Sequence, residues 1–323
     1  MKKTLILAFA VTILTTFNVK YLQAQTKDDA IVAFNAALEL SKTDMATAVI
    51  KMQDVVKMCT TVGSEADTLK MKATSVLPIF QYNVGNNLLR DKKYDLATAA
   101  FEKSHKMAVE YSEANIKEKS EDILVKLYAN QGNELIKVSK YDDALAAFDK
   151  TIQLDPGYSK AYYAKGQIYK KKADNAKMQE NMDLAIAAAT KTNDTVTIQA
   201  AKNMVGASLN SEGIAAYNKK SYSDAVTKLN SALTYDFKTK DMYYVLALSN
   251  NNLKKYDEAI EAANAGLAME DQTSVKMARF YCEIAKAYEG KNDIGNACSN
   301  YKKSAYGSFV TFANGKKKEL KCQ

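Results

Sequence analysis

Apolar and small residues return along the chain in one fixed frame. Gly132 is followed nine residues later by Tyr141, three after that by Ala144, and four further on by Phe148. Positions four apart share a helix face, so the frame predicts a first helix with a small residue, a turn, and a second helix whose Ala and Phe face the first. The further copies are Gly85, Tyr94, Ala97 and Phe101; Gly213, Tyr222, Ala225 and Leu229; Ala247, Tyr256, Ala259 and Ala263; and Ala285, Ile294, Ala297 and Tyr301. One such hairpin cannot bury its apolar faces alone, so neighbours must stack.

The frame resembles the tetratricopeptide repeat (TPR) family, whose unit has 34 residues. The stretch 125–158 is nearly a complete unit and ends in Leu154-Asp155-Pro156. The resemblance implies an all-α, right-handed superhelical solenoid of TPR helix hairpins. Its register places units at 78–111, 125–158, 159–192, 206–239, 240–273 and 278–311. Residues 28–62 are predicted to form a degenerate helix pair or cap, and residues 312–323 a capping helix, since terminal units of solenoids are atypical.

Three segments depart from the repeat. Residues 112–124 and 193–205 are extra and hold no helix breaker, so they predict lengthened first helices over 113–138 and 195–218. In unit 159–192, Met178 stands where the frame has Ala, which weakens the prediction of its second helix.

The N-terminus has the three-part layout of a secretory signal peptide. Lys2 and Lys3 precede an apolar run over 5–17, and Ala24 offers a small residue for cleavage, so residues 1–24 are predicted to be removed. A run of 13 residues is shorter than the ~20 that a bilayer span needs, so a retained anchor is the weaker alternative. The chain holds 2 prolines and 12 glycines with 47% hydrophobic residues, which favours long helices and excludes a disordered chain.

The sequence offers few candidates for catalytic residues. His105 is the only histidine, without a recognisable Ser or Cys partner, and a structural or surface role is the simpler interpretation. The sequence has no phosphate-binding glycine loop and no cysteine pair at metal spacing. Carboxylates such as Asp142 and Glu258 fall at helix starts, where they suit caps and helix dipoles. No catalytic residue, cofactor or metal is predicted, and the protein is not expected to be an enzyme.

Four cysteines allow three full pairings. Cys298 follows the small Ala297 on a second helix, and Cys322 ends the segment that would pack there. A Cys298–Cys322 disulfide would close a loop of 24 residues; buried free thiols are the alternative. Cys59 and Cys282 are expected to stay unpaired.

The family resemblance also implies a binding surface, because ligand peptides of TPR proteins usually lie along the first helices. Amides and cations there can hold a peptide backbone and a carboxylate. Carried over position by position, the groove residues are Tyr82, Asn83, Asn86, Arg90, Lys126, Asn130, Asn133, Lys137, Lys160, Tyr163, Gln167 and Lys171. The surface resembles in part the clamp that holds a C-terminal carboxylate, but Ala129 and Ala164 stand where that clamp has basic residues. Ordinary solvation of a polar face is the alternative for each residue.

These observations favour a non-catalytic protein–protein interaction scaffold or adaptor that binds a peptide or a partner protein. Export predicts a periplasmic or secreted location, without a stable membrane span after cleavage. Basic residues are scattered among acidic ones, and even the run 316–318 is better explained as a solvated helix end, so no nucleic-acid partner is expected. The alternatives are a structural subunit of an envelope secretion or assembly complex and a carbohydrate-binding protein, although the many Tyr fall largely at repeat positions and the chain has no Trp.

Overall fold

The structure is a computed structural model that describes residues 26–271 and 274–323. The predicted signal peptide therefore lies outside the described residues. Within those ranges the chain forms α-helices and two short 3-10 turns, with no strand. The all-α fold class of paired TPR-type hairpins is confirmed. None of the described helices is long and apolar enough to cross a bilayer.

The chain divides into two compact units, and the first ends at Leu127. Its described part contains four helices and the start of a fifth, which continues into the second unit. These helices are α1 (Lys27–Leu40), α2 (Met45–Val62), α3 (Asp67–Arg90), α4 (Tyr94–Glu110) and α5 (Ala114–Lys137). A buried cluster that includes Met52, Val55 and Leu77 joins α2 to α3.

The second unit begins at Tyr128. After the end of α5 it contains α6, which completes the hairpin that α5 begins. Four complete hairpins and a last helix follow. Its helices are α6 (Tyr141–Leu154), α7 (Ser159–Lys171), α8 (Asn175–Thr192), α9 (Thr195–Asn218), α10 (Tyr222–Thr234), α11 (Lys240–Asn252), α12 (Tyr256–Leu267), α13 (Ser274–Gly290), α14 (Ile294–Ser304) and α15 (Val310–Glu319). As expected for first helices lengthened by the extra segments, α5 and α9 each have 24 residues.

The hairpins that have glycine in the first helix close by this small residue against a large one. A Cβ on Gly132 would lie 2.7 Å from Phe148 Cζ, and a Cβ on Gly85 would lie 2.8 Å from Phe101 Cζ. Both rings are fully buried. The predicted packing of the repeat frame is thereby confirmed, because each of these second helices can approach only where the first helix has no side chain.

Every hairpin from α3 to α14 turns through the same backbone conformation. A non-glycine residue with φ between 58° and 62° stands two positions before each second helix and seven after the small residue of the first. These residues are Lys92, Ser139, Ala173, Lys220, Lys254 and Asn292. The left-handed region is unfavourable for L-residues, so tertiary packing of the two helices must impose the turn.

Several helix boundaries differ from the predicted ones. Helix α3 begins at Asp67, eleven residues before the predicted unit start at 78, because Leu69, Ala73 and Leu77 form an apolar stripe that is buried. The last helix covers Val310–Glu319 where 312–323 was predicted.

The second helix of unit 159–192, weakly predicted because of Met178, is a complete helix of 18 residues. Met178 and Met182 are both buried, and Met182 takes the place of the hairpin Phe against Gly166. Methionine is flexible enough to fill such a gap, so the repeat packing survives the change of residue.

The structure joins Cys298 to Cys322, with their Cα atoms 5.5 Å apart. Cys59 and Cys282 are free, buried thiols. Burial raises the pKa of Cys282 to about 12, so this thiol stays protonated at neutral pH.

Candidate functional site

The predicted groove residues fall in both compact units. The first unit holds Tyr82, Asn83, Asn86, Arg90 and Lys126. Two of them make internal contacts: the Tyr82 ring packs edge-on against Phe101 with centroids 5.3 Å apart, and Arg90 Nη2 donates to Asn87 Oδ1 at 2.9 Å. Asn86 and Lys126 are exposed.

In the second unit, four predicted residues meet at one cavity of about 320 Å³. They are Asn133 on α5 and Lys160, Tyr163 and Gln167 on α7. The other residues that line the cavity are Ala129, Phe148, Tyr158, Ala164, Val196, Thr197 and Ala200. The predicted Asn130, Lys137 and Lys171 do not line it, although all three are exposed.

The repeat geometry explains this convergence. Asn133 follows Gly132 directly, and Gln167 follows Gly166 directly. Adjacent residues of a helix point about 100° apart, so the glycine faces its own second helix while the amide faces outward from the hairpin. Asn133 and Gln167 are exposed, and in the described part of the chain neither side-chain amide has a hydrogen-bond partner.

The N-terminal turn of α9 forms the third wall. Asp194 caps this helix: it accepts a hydrogen bond from the Thr197 backbone N–H at 3.1 Å and from the Thr197 hydroxyl at 2.6 Å. These two bonds, the hydroxyl first, hold the pKa of Asp194 below its usual value. The cap fixes Thr197 in the cavity wall and leaves Val196 with 78% of its surface exposed at the rim. The cavity thus combines two free amides, a cation and an apolar rim.

A second cavity, of about 550 Å³, lies against α11, α13 and α15. Its most buried charged group is Glu283, whose side chain is 1% exposed and accepts from Lys286 Nζ at 2.7 Å. Asn251 Nδ2 donates to the same carboxylate at 2.9 Å, while the buried Asn251 Oδ1 has no partner among the described residues. Burial alone would lower the pKa of Lys286, but the Glu283 carboxylate outweighs it and raises that pKa.

One wall of this cavity comes from the C-terminal helix. Glu289 accepts from Tyr301 Oη at 2.6 Å and from Lys316 Nζ at 2.8 Å. Burial opposes the charge of Glu289, yet the bonds from Lys316 and Tyr301 together bring its pKa below the usual value. The cavity therefore contains two carboxylates, Glu283 and Glu289, and two ammonium groups, Lys286 and Lys316, whose charges cancel. The bond between Glu289 and Lys316 holds α15 against α13.

Sequence reasoning missed this second cavity. A signal was present: Glu283 and Lys286 stand three residues apart on a predicted first helix, where they share a face. Leu248 and Lys286 occupy the positions that follow Ala247 and Ala285, just as Asn133 and Gln167 follow their glycines. Both cavities therefore use the same position of the repeat.

No catalytic arrangement is found in the described part of the chain. His105 lies 2.9 Å from Glu121 Oε1 through Nε2, bridging α4 to the first unit's part of α5. No cluster of three His, Cys, Asp or Glu side chains that could hold a metal occurs among the described residues.

Family models support the repeat assignment directly. A tetratricopeptide repeat model matches residues 130–191 and 210–272, and a second tetratricopeptide repeat model matches residues 278–306. The chain is a tetratricopeptide-repeat protein. The resemblance drawn from the repeat frame is thereby confirmed, and the TPR hairpins give the chain a fold of the protein-interaction scaffold type.

Several solved structures are similar to this TPR protein. MamA is 21% identical, with 61% of this chain and 94% of MamA covered and a TM-score of 0.33. YrrB, a TPR protein with an unusual peptide-binding site, is 20% identical, with coverages of 64% and 97% and a TM-score of 0.33. A tetratricopeptide repeat protein from Parabacteroides merdae is 13% identical, with coverages of 90% and 97% and a TM-score of 0.27. No curated protein matches the chain.

Proposed function

We propose that this TPR protein is a non-catalytic adaptor that holds an extended peptide segment of a partner protein in the cavity between α5, α7 and α9. The observation that carries the proposal is the pair of exposed amides, Asn133 and Gln167, on neighbouring first helices beside Lys160; neither has a hydrogen-bond partner among the described residues. An amide side chain both donates and accepts, so it can pair with a peptide group as a neighbouring strand would.

The remaining lining fits the same occupant. Ala129 and Ala164 are small residues in the cavity wall, and they leave room for a backbone to approach. Val196 supplies an apolar contact at the rim, and the Lys160 ammonium attracts a carboxylate of the peptide. The cavity is lined by groups that suit a peptide backbone with one apolar and one acidic side chain.

The proposed place of action is the periplasm or the cell exterior. It is supported by the basic start, the apolar run 5–17 and Ala24, and by the Cys298–Cys322 disulfide, which persists in oxidising compartments. N-terminal sequencing of the protein isolated from its own cells should begin at Gln25. A start at Met1 would contradict export.

Site-directed photo-crosslinking in the intact cell tests the binding role. A benzophenone amino acid at Gln167 should give a discrete crosslinked product, identified by mass spectrometry. The matched control places the same group at Glu180, an exposed position on the second helix α8 that lines neither cavity. The variant Asn133→Ala/Gln167→Ala should lower affinity for the captured segment by about thirtyfold, since each lost hydrogen bond contributes about 1 kcal/mol and the two together about 2 kcal/mol.

The outcomes separate the alternatives. The same product at Gln167 and Glu180, in a complex of fixed stoichiometry, would favour a structural subunit of an envelope assembly. A sugar bound in the cavity would favour carbohydrate recognition. No product above background, together with turnover of a small substrate, would overturn the adaptor function.

A further inference from the structure

The net positive charge of the chain lies at its two ends, and the larger part is at the C-terminal one. Of the 45 basic residues, three lie in 1–20 and six in 294–323, which leaves 36 in 21–293 against 36 acidic residues there. The stretch 294–323 has six lysines and a single acid, Glu319, so its net charge is +5. The long middle of the chain is neutral, and a local excess of this size acts on charged partners within about a Debye length, ~10 Å at 0.1 M salt.

Four of the six lysines surround one concavity. It has a volume of about 950 Å³ and lies between α14 and α15. The lysines are Lys302, Lys317, Lys318 and Lys321. The other lining residues are Ile294, Gly295, Cys298, Ser299, Asn314, Cys322 and Gln323, with no Asp, Glu or aromatic side chain among them.

No carboxylate neutralises these four lysines within the described part of the chain. Glu319 pairs instead with Lys316 at 3.2 Å, and Lys316 is also held by Glu289. Lys302, Lys318 and Lys321 are exposed, and Lys317 is half-buried. The concavity therefore presents four ammonium groups that no described carboxylate neutralises.

The C-terminal turn and the disulfide build this concavity. After α15 the chain reverses through Lys321 at φ 55°, and the Cys322 N–H donates to the Lys317 carbonyl at 2.9 Å. This is the hydrogen bond of a Schellman-type helix end. It brings Cys322 to Cys298 on α14, and the disulfide then fixes the lysines of both segments around one space.

We propose that this lysine pocket, defined by Lys302, Lys317, Lys318 and Lys321, binds an acidic peptide segment, a run of Asp and Glu side chains in a partner protein. The inference rests on the proposed adaptor function and names the chemistry of a second contact. Several carboxylates on one extended chain can meet several ammonium groups, and the Ser299 hydroxyl and the Asn314 amide can bond its backbone.

The form of the pocket favours a peptide over other polyanions. Lysines around a concavity converge on an inserted chain, whereas a flat membrane surface meets only side chains that project from the protein. Single-stranded nucleic acid is usually held by aromatic rings that stack on bases, and no ring lines this pocket.

The test is a fluorescence anisotropy titration of the oxidised full chain with a fluorescein-labelled peptide of eight glutamates. The peptide of eight glutamines is the neutral probe and should not bind. Raising NaCl from 50 to 300 mM should weaken octaglutamate binding at least tenfold, because salt screens charge attraction. The variant with Gln at all four lysines of the pocket should also bind at least tenfold more weakly.

Two further variants guard against misleading results. The matched control replaces four exposed lysines without ion pairs in the described structure, Lys51, Lys72, Lys119 and Lys170, by Gln. It loses the same net charge and should bind within twofold of the parent. Arg at all four pocket positions should restore binding, which a folding defect of the Gln variant would not predict.

Reducing the disulfide distinguishes a pocket of fixed geometry from a general excess of positive charge. With the Cys298–Cys322 bond reduced, octaglutamate affinity should fall at least fivefold. Unchanged affinity, equal loss in the control variant, or binding of phosphatidylglycerol vesicles or a single-stranded oligonucleotide in place of the peptide would overturn the proposal. The Gln167 crosslink does not involve these lysines, so either function can fail while the other stands.

Discussion

The contact between Gly132 and Phe148 makes a sharp test of how the repeat holds together. Replacing Gly132 by Ala adds one methyl group that would lie 2.7 Å from Phe148 Cζ and 2.9 Å from both Cε atoms. The ring cannot swing away freely, because it is buried in a cluster with Ala144, Ala161 and Ile168. The helix or the ring must shift by several tenths of an ångström.

Two opposing effects set the magnitude. In a helix interior, Ala is more favourable than Gly by about 1 kcal/mol. Overpacking a well-filled core costs about 1–3 kcal/mol. Gly132→Ala should therefore destabilise by up to about 2 kcal/mol. At Gly315 in α15 nothing lies within 4 Å of the added methyl, so Gly315→Ala should stabilise by up to about 1 kcal/mol.

Urea denaturation followed by far-ultraviolet circular dichroism measures both changes. The α11–α12 hairpin supplies the design for a double-mutant cycle, since it has Ala247 at the glycine position and Ala263 at the Phe position. Phe148→Ala alone should cost about 3–5 kcal/mol. In that background Gly132→Ala should become stabilising, a coupling of about 1–3 kcal/mol. Equal effects of Gly132→Ala in both backgrounds would refute the small-against-large account of the repeat.

Three further predictions concern the turns, the thiols and the C-terminal network. Ala173→Gly should stabilise the protein by roughly 0.5–1 kcal/mol, because Ala173 has φ 58° and Gly adopts this region freely. The control Ala187→Gly, in the exposed middle of α8, should destabilise the protein by about 1 kcal/mol, and urea denaturation compares the two. Burial raises the pKa of Cys282 to about 12 and also raises that of Cys59, so neither should react with Ellman's reagent at pH 8 until the protein unfolds; prompt reaction of the native protein would contradict this. The pKa of Glu289 is lowered on folding, so its contribution to stability is complete above the usual Glu pKa and is lost as pH falls through the folded value. Glu289→Gln should therefore make the fall of Tm at acid pH smaller than in the parent protein. A Tm profile against pH that is the same in both proteins would contradict the network.

The repeat frame predicts the hairpins because its spacing encodes a local packing rule. It fails where helix formation depends on other contacts. Residues 67–77 carry no repeat signature, yet they extend α3 because Leu69 and Leu77 are buried with the cluster that includes Met52 and Val55. Pro78 lies inside that helix, although proline usually stands in the first turn.

The candidate site was predictable only in part for a similar reason. The register places Asn133 and Gln167 on the outward side of first helices, and this follows from helix geometry alone. Which of the predicted residues share a cavity depends on the N-terminal turn of α9, where Val196 and Thr197 form a wall. The Asp194 cap that fixes this turn is a local feature, but its position opposite α7 is a tertiary one.

Folding contacts and binding contacts occupy different sides of the same helices. In α5, Gly132 meets Phe148 while the next residue, Asn133, lines the cavity; in α7, Gly166 meets Met182 while the next residue, Gln167, lines it. A substitution at the outward position changes the binding surface and leaves the hairpin contact intact, whereas a substitution at the glycine disturbs the contact first. The amide variants should therefore lose affinity with stability unchanged within about 0.5 kcal/mol, the range usual for surface changes. If they unfolded the protein instead, the amides would be part of the hairpin packing, and the separation between fold and site would be wrong.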